Sequence, residues 1–128
     1  MIYGLDTHVL VWFFQDDPRL SVKVGELLGN PSSRFLVPTL VLCELHALAQ
    51  KKRTDFPKIL QYLKGDDRFE LVSLDERVVA SLPSGLDIHD AVIVATILAV
   101  AQERKLKPVL VTRDEVIRQS SLIETVWE

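Results

Sequence analysis

The stretch Ile2-Tyr3-Gly4-Leu5-Asp6-Thr7 decides how this chain is read. A short run without polar alternation suits a strand covered on both faces. An acid and a hydroxyl follow at once, and a helical pattern over Thr7–Gln15 comes next. The unit recurs along the chain. Phe35-Leu36-Val37 leads into a helical run over Leu40–Lys52, and Leu71-Val72-Ser73 leads into Glu76–Leu82. Val109-Leu110-Val111 leads into a short helix over Asp114–Gln119, and Glu124-Thr125-Val126-Trp127 reads as a fifth strand. Further helical patterns cover Ser21–Leu28, Asp55–Leu63 and Ile88–Arg104. Alternating β and α segments predict an α/β fold: a mostly parallel sheet of four to five strands with helices on both faces.

Local punctuation supports this division. Asp16-Asp17-Pro18, Gly29-Asn30-Pro31-Ser32-Ser33, Gly65-Asp66-Asp67 and Pro83-Ser84-Gly85 mix Gly or Pro with small polar residues, which is turn chemistry. Thr39 is placed to cap the helix over Leu40–Lys52. Asp87 is placed to cap Ile88–Arg104, with Asp90 three residues on in the position of a capping-box acid. That last helix is apolar nearly all round and is expected to be buried.

The chain has 128 residues, of which 48% are hydrophobic and 26% charged. That length suits a single domain over 1–128 and a core that needs neither disulfide nor structural metal. The composition excludes a disordered tail, a collagen-like rod and a disulfide scaffold. A formal charge of −3 argues against a simple basic clamp on nucleic acid. A mean hydropathy of +0.17 leaves apolar surface for a partner. The opening residues lack a basic start and are interrupted by Asp6, so no secretory signal is read there. The longest apolar stretch, Ala91 to Ala101 apart from Thr96, is too short for a bilayer. With a lone Cys unable to form an internal bridge, these features predict a cytoplasmic protein and no membrane.

Four acids stand among apolar residues. Asp6 follows the first strand, and Asp114 follows the fourth in Val109-Leu110-Val111-Thr112-Arg113-Asp114. Glu44 lies inside Leu40-Val41-Leu42-Cys43-Glu44-Leu45, and Asp90 opens the most hydrophobic helix. Burying an unpaired carboxylate costs several kcal/mol or shifts its pKa. Open α/β sheets bind ligands outside the carboxyl ends of their strands, where all four acids can converge. A carboxylate cluster without opposing Lys or Arg repels itself, and a hard cation such as Mg²⁺ or Mn²⁺ resolves the repulsion. Thr7 and Thr112 flank the cluster and can support it by hydrogen bonding.

Each acid also has a plain local reading. Asp6 and Asp114 can cap the helices after them, Asp90 can serve a capping box, and Glu44 can face solvent. Thr7 and Thr112 can equally serve helix starts and turns. His8 and His89 lie near the acids, either touching substrate or simply packed and partly exposed. Cys43 reads as a small core residue rather than a nucleophile. Lys51-Lys52-Arg53 suits a helix C-terminus, or a phosphate backbone. Arg113 has the better claim to a substrate phosphate because of its place beside Asp114. Trp12, Phe13 and Phe14 read as core or interface. No G-x-G-x-x-G, Walker A loop, zinc spacing or nucleophile elbow is present.

The run Leu5-Asp6-Thr7-His8-Val9-Leu10-Val11-Trp12 resembles the opening motif of PIN-domain ribonucleases, and especially of VapC-type toxins from prokaryotic toxin–antitoxin pairs. The Glu44 helix, His89-Asp90-Ala91-Val92-Ile93-Val94-Ala95-Thr96 and Leu110-Val111-Thr112-Arg113-Asp114 follow in the family's order, and Val126-Trp127 resembles its last strand. The resemblance covers essentially the whole chain. One departure is Cys43, where many relatives place a bulky aromatic before the acid. The resemblance implies a Rossmann-like three-layer α/β/α fold and Mg²⁺- or Mn²⁺-dependent hydrolysis of RNA to 5′-phosphate and 3′-hydroxyl products. Asp6, Glu44, Asp90 and Asp114 would form the metal-binding catalytic pocket, supported by Thr7 and Thr112. It also implies a homodimer, an antitoxin that plugs the pocket with a basic side chain, operator DNA bound only through that antitoxin, and arrest of translation or growth. Other classes fit less well. A binding module with little catalysis would not need the intact acid set. A receiver domain wants a Lys after a late strand, and a haloacid-dehalogenase-like domain wants Asp-x-Asp where Asp6-Thr7-His8 stands.

Overall fold

The computed structural model describes residues 1–128. Its strands are Ile2–Leu5 (β1), Phe35–Pro38 (β2), Phe69–Val72 (β3), Pro108–Val111 (β4) and Glu124–Val126 (β5). All pair in parallel, in the spatial order β3-β2-β1-β4-β5. The helices are Thr7–Phe14 (α1), Val22–Gly29 (α2), Thr39–Gln50 (α3), Phe56–Gly65 (α4), Glu76–Ala80 (α5), Ile88–Arg104 (α6) and Glu115–Ser120 (α7). The result is the expected three-layer α/β/α arrangement, with every neighbouring pair of strands parallel.

The central strands are covered on both faces, which explains their lack of alternation. Leu5, Leu36, Val37, Leu110 and Val111 are fully buried in one large apolar core. Helix α6 packs across β1, β2 and β4 and buries ten consecutive or near-consecutive residues from Ala91 to Ala101. Its approach to β1 is close. A Cβ placed on Gly4 would lie 2.3 Å from Cδ1 and Cγ1 of the buried Ile97, so only glycine leaves room there.

Three local expectations need correction. Strand β3 begins at Phe69, two residues before the predicted run, because Phe69 pairs with Phe35 and their rings stack at 5.1 Å. Thr39 does not cap α3. Pro38 occupies the cap position without a side-chain bond, and the Thr39 hydroxyl instead accepts the N–H of Leu74 at 3.1 Å. Cys43 is exposed, not a core residue, because α3 turns only Val41 and Leu45 fully inward. The cap at Asp87 is as expected, with its carboxylate accepting the N–H of Asp90 at 3.0 Å. No helix is long and apolar enough to cross a membrane.

The topology prepares a site. The strand order reverses beside β1, since β2 and β3 continue on one side while β4 and β5 lie on the other. Such a switch point opens a crevice at the carboxyl ends of the two diverging strands. Leu5 and Val111 are register partners at those ends, so the residues that follow them, Asp6 and Thr112, are neighbours.

Candidate active site

A pocket of about 370 Å³ opens at that crevice, lined by Asp6, Thr7, His8, Val9, Trp12, Glu44, Asp90, Ile93, Arg113, Asp114 and Trp127. It brings together all four acids singled out from the sequence, with Thr7 and Arg113. Thr112 lies directly beneath, fully buried.

Each acid is delivered by a different piece of the fold. Asp6 leaves β1 and caps α1, accepting the N–H of Val9 at 3.2 Å. Its other oxygen accepts the hydroxyl of Thr112. That hydroxyl in turn accepts the N–H of Asp114 at 3.1 Å, which ties the ends of β1 and β4 together. Asp114 caps α7 through the N–H of Ile117 at 3.0 Å. Glu44 comes from the second turn of α3, and the buried Thr7 donates its hydroxyl to it at 2.7 Å. His89 Nδ1 stands 3.9 Å from the other Glu44 oxygen. Asp90 lies in the first turn of α6, and its carboxylate accepts no hydrogen bond in the fold, so the capping-box role is not realised.

The electrostatics follow from this crowding. No Lys or Arg forms an ion pair with any of the four. Burial pushes the Asp6 carboxyl up, against the lowering effects of Thr112, the Val9 N–H and His8. Asp90 is pushed up to about 6, first by loss of solvent and then by repulsion from Asp87, Asp114, Asp6 and Glu44. Burial and like charge acting together in a cleft mark these acids as candidate functional groups. The donor set is all oxygen, which suits a hard divalent cation. In this side-chain arrangement no three of the His, Cys, Asp and Glu residues form a ready ligand group, so an ion would draw the carboxylates inward.

Sequence reasoning left out the pocket's aromatic wall. Trp12 and Trp127 meet edge to face at 5.8 Å and close one side. The signal was available, since His8 and Trp12 are four apart on α1 and share a face. Trp127 follows β5, at the same edge of the sheet as Asp6 and Asp114.

A family model described as PIN domain matches residues 3–121. No curated protein matches the chain's sequence. Among solved structures, VapBC2 from Rickettsia felis, bound to a DNA fragment from its promoter, is similar with a TM-score of 0.70 and 19% identity, covering 100% of both chains. VapBC-1 from nontypeable Haemophilus influenzae gives 0.66 at 16% identity, over 98% of this chain and 97% of that one. The PIN domain of T. brucei RRP44 gives 0.60 at 14% identity, over 98% of this chain and 75% of that one. At these identities the likeness is one of fold.

Proposed function

The chain belongs to the PIN-domain family, and from that premise we propose that it is a metal-dependent endoribonuclease, the toxin of a type II toxin–antitoxin pair. One observation carries the reading. Four carboxylates line a single pocket at the switch point of the sheet with no Lys or Arg paired to them, and loss of solvent, followed by repulsion from neighbouring acids, raises Asp90 to about 6. Residues placed in this way are costly to stability unless a cation joins them.

Asp6, Glu44, Asp90 and Asp114 would hold Mg²⁺ or Mn²⁺. When bound, the metal supplies an ionised water at neutral pH and offsets charge on the scissile phosphate. The chain's own residues do the positioning. Thr112 fixes one oxygen of Asp6, and Thr7 fixes one oxygen of Glu44, which orients both carboxylates. Arg113, exposed on the rim, offers a planar fork to a substrate phosphate. A net charge of −3 is compatible with an RNA substrate, because cations can bridge these carboxylates to phosphates.

The fold likeness to VapBC complexes supports a cognate antitoxin that covers the acidic pocket with a basic side chain, with operator DNA engaged only through it. Exposed Val22, Val79, Ile88 and Val116 supply apolar surface for that partner and for a second copy of the chain in a homodimer. The reading includes a cytoplasmic setting and arrest of translation or growth.

Asp6→Asn and Asp90→Asn test the proposal. Each folded variant should lose Mg²⁺-dependent cleavage of RNA, and calorimetry should show stoichiometric Mn²⁺ binding to the parent only. Full cleavage by both variants would refute the mechanism, and no Mn²⁺ binding by the parent would favour a binding module instead.

A further inference from the structure

The acidic pocket has a second wall that the carboxylate chemistry does not use. Trp12 is only 8% exposed and acts as a platform. The His8 ring lies 5.6 Å from the indole, and the guanidinium carbon of Arg113 lies 5.7 Å from it. Both side chains line the pocket and both are exposed. Neither forms an ion pair with the rest of the protein. A third group, Arg19, also lies over Trp12 at 4.9 Å, but its fork is occupied by Asp17 through bonds of 3.1 and 2.8 Å. The contrast is informative. A guanidinium beside four carboxylates would ordinarily pair with one of them, yet the indole face holds Arg113 apart with its donors free.

We propose that His8 and Arg113, seated together on Trp12, form a two-part clamp for the nucleotide next to the scissile phosphate. Arg113 takes a backbone phosphate and His8 stacks on an unpaired base. The proposal rests on the ribonuclease reading above and assigns part of its substrate contact. The guanidinium fork matches the geometry of a phosphate. Aromatic rings stack unpaired bases with little regard to sequence. The shared indole pre-orders both groups, so less freedom is lost when RNA arrives. Helical spacing keeps His8 on Trp12 independently of substrate, because the two are four residues apart on α1.

The two halves differ in their response to salt, which gives the test. Binding of a fluorescein-labelled single-stranded octauridylate is followed by anisotropy at pH 8 with Ca²⁺ in place of Mg²⁺, over a range of salt. Arg113→Ala should weaken binding about tenfold and reduce the slope of log affinity against log salt by about 0.7, the loss of one phosphate contact. His8→Ala should weaken binding about tenfold with the slope unchanged, because stacking releases no counterions. Both residues are exposed, so circular dichroism should show the parent fold. Parent-like binding by both variants overturns the clamp and leaves the ribonuclease reading standing. An unchanged slope in Arg113→Ala overturns the phosphate assignment. A parent that cleaves RNA with Mg²⁺ but does not bind the octamer with Ca²⁺ also overturns the clamp. A parent that does neither overturns the ribonuclease reading itself.

Discussion

Asp90→Asn is expected to stabilise the metal-free protein while it abolishes RNA cleavage. The Asp90 carboxyl is raised from its ordinary value of 3.8 to about 6. That shift of roughly 2 units corresponds to at most about 3 kcal/mol of unfavourable charge above pH 6. Asp90 is only half-buried, so solvent screening reduces the cost to about 1–2 kcal/mol. An acid in the first turn of α6 also gains about 0.5 kcal/mol from the helix dipole, which asparagine gives up. The net gain is about 1 kcal/mol, or roughly 3–5 °C in melting temperature for a chain of this size. The cap is unaffected, because Asp87 binds the backbone N–H of residue 90 and not its side chain. The sign with pH is definite. Well below pH 3.8 the carboxyl is protonated in both folded and unfolded chains, and the variant gains nothing. As pH rises toward 6 the unfolded chain ionises first, so the parent loses stability that the variant keeps. Urea unfolding in EDTA at pH 4.5 and pH 8 measures the difference. A variant less stable than the parent at pH 8, or one with the same advantage at both pH values, would refute the argument.

Other substitutions test the frame around the site. Gly4→Ala drives a Cβ to 2.3 Å from buried Ile97 and should cost about 1–3 kcal/mol in denaturant unfolding, with Ile97→Val restoring part of the loss. Thr112→Val leaves an Asp6 oxygen and the Asp114 N–H without a partner. It should cost about 1–3 kcal/mol and move the Asp6 carboxyl further up, which carboxyl-carbon NMR would follow through pH. Arg68→Ala removes hydrogen bonds to the carbonyls of Leu28 and Asn30, at 2.8 and 2.9 Å, at the opposite edge of the sheet. Thermal melting should show a loss of about 1–3 kcal/mol, with catalytic turnover unchanged below the melting range.

The sheet and the acids were legible for a common reason. Strands such as Phe35-Leu36-Val37 are covered on both faces and so show continuous apolar runs, and acids beside such runs stand out. Asp6 and Asp114 were located because strand ends can be read from composition. The short-range exceptions depended on contacts that no local pattern contains. Phe69 joins β3 because Phe35 stacks on it, and the Thr39 hydroxyl serves Leu74 from 35 residues away. Cys43 follows the apolar Leu42 and precedes Glu44, but exposure on α3 is set by which turn faces α1 and α4, and the run is too apolar to reveal that phase. The aromatic wall was hidden by a different effect. Trp12 fits a core residue by burial, and only the convergence of α1 with the end of β5 makes it a wall of the pocket.

The local and functional readings of the acids turn out not to compete. Asp6 caps α1 and Asp114 caps α7, yet both line the pocket. Three helix N-termini, those of α1, α6 and α7, therefore meet at the same place, and their partial positive charge offsets some of the carboxylate repulsion. Hydrogen bonds offset more of it. Asp6 has Thr112 and the Val9 N–H, Glu44 has Thr7, and Asp114 has the Ile117 N–H. Asp90 alone has no such donor. Loss of solvent, and then repulsion from its acidic neighbours, raises Asp90 to about 6 with no hydrogen bond acting against the shift. Capping holds Asp6 and Asp114 in place at little cost to folding, the Thr7 hydroxyl holds Glu44, and Asp90 is left as the carboxylate that a cation would relieve most. Replacing a capped acid should therefore cost the fold something along with activity, whereas replacing Asp90 should cost activity alone.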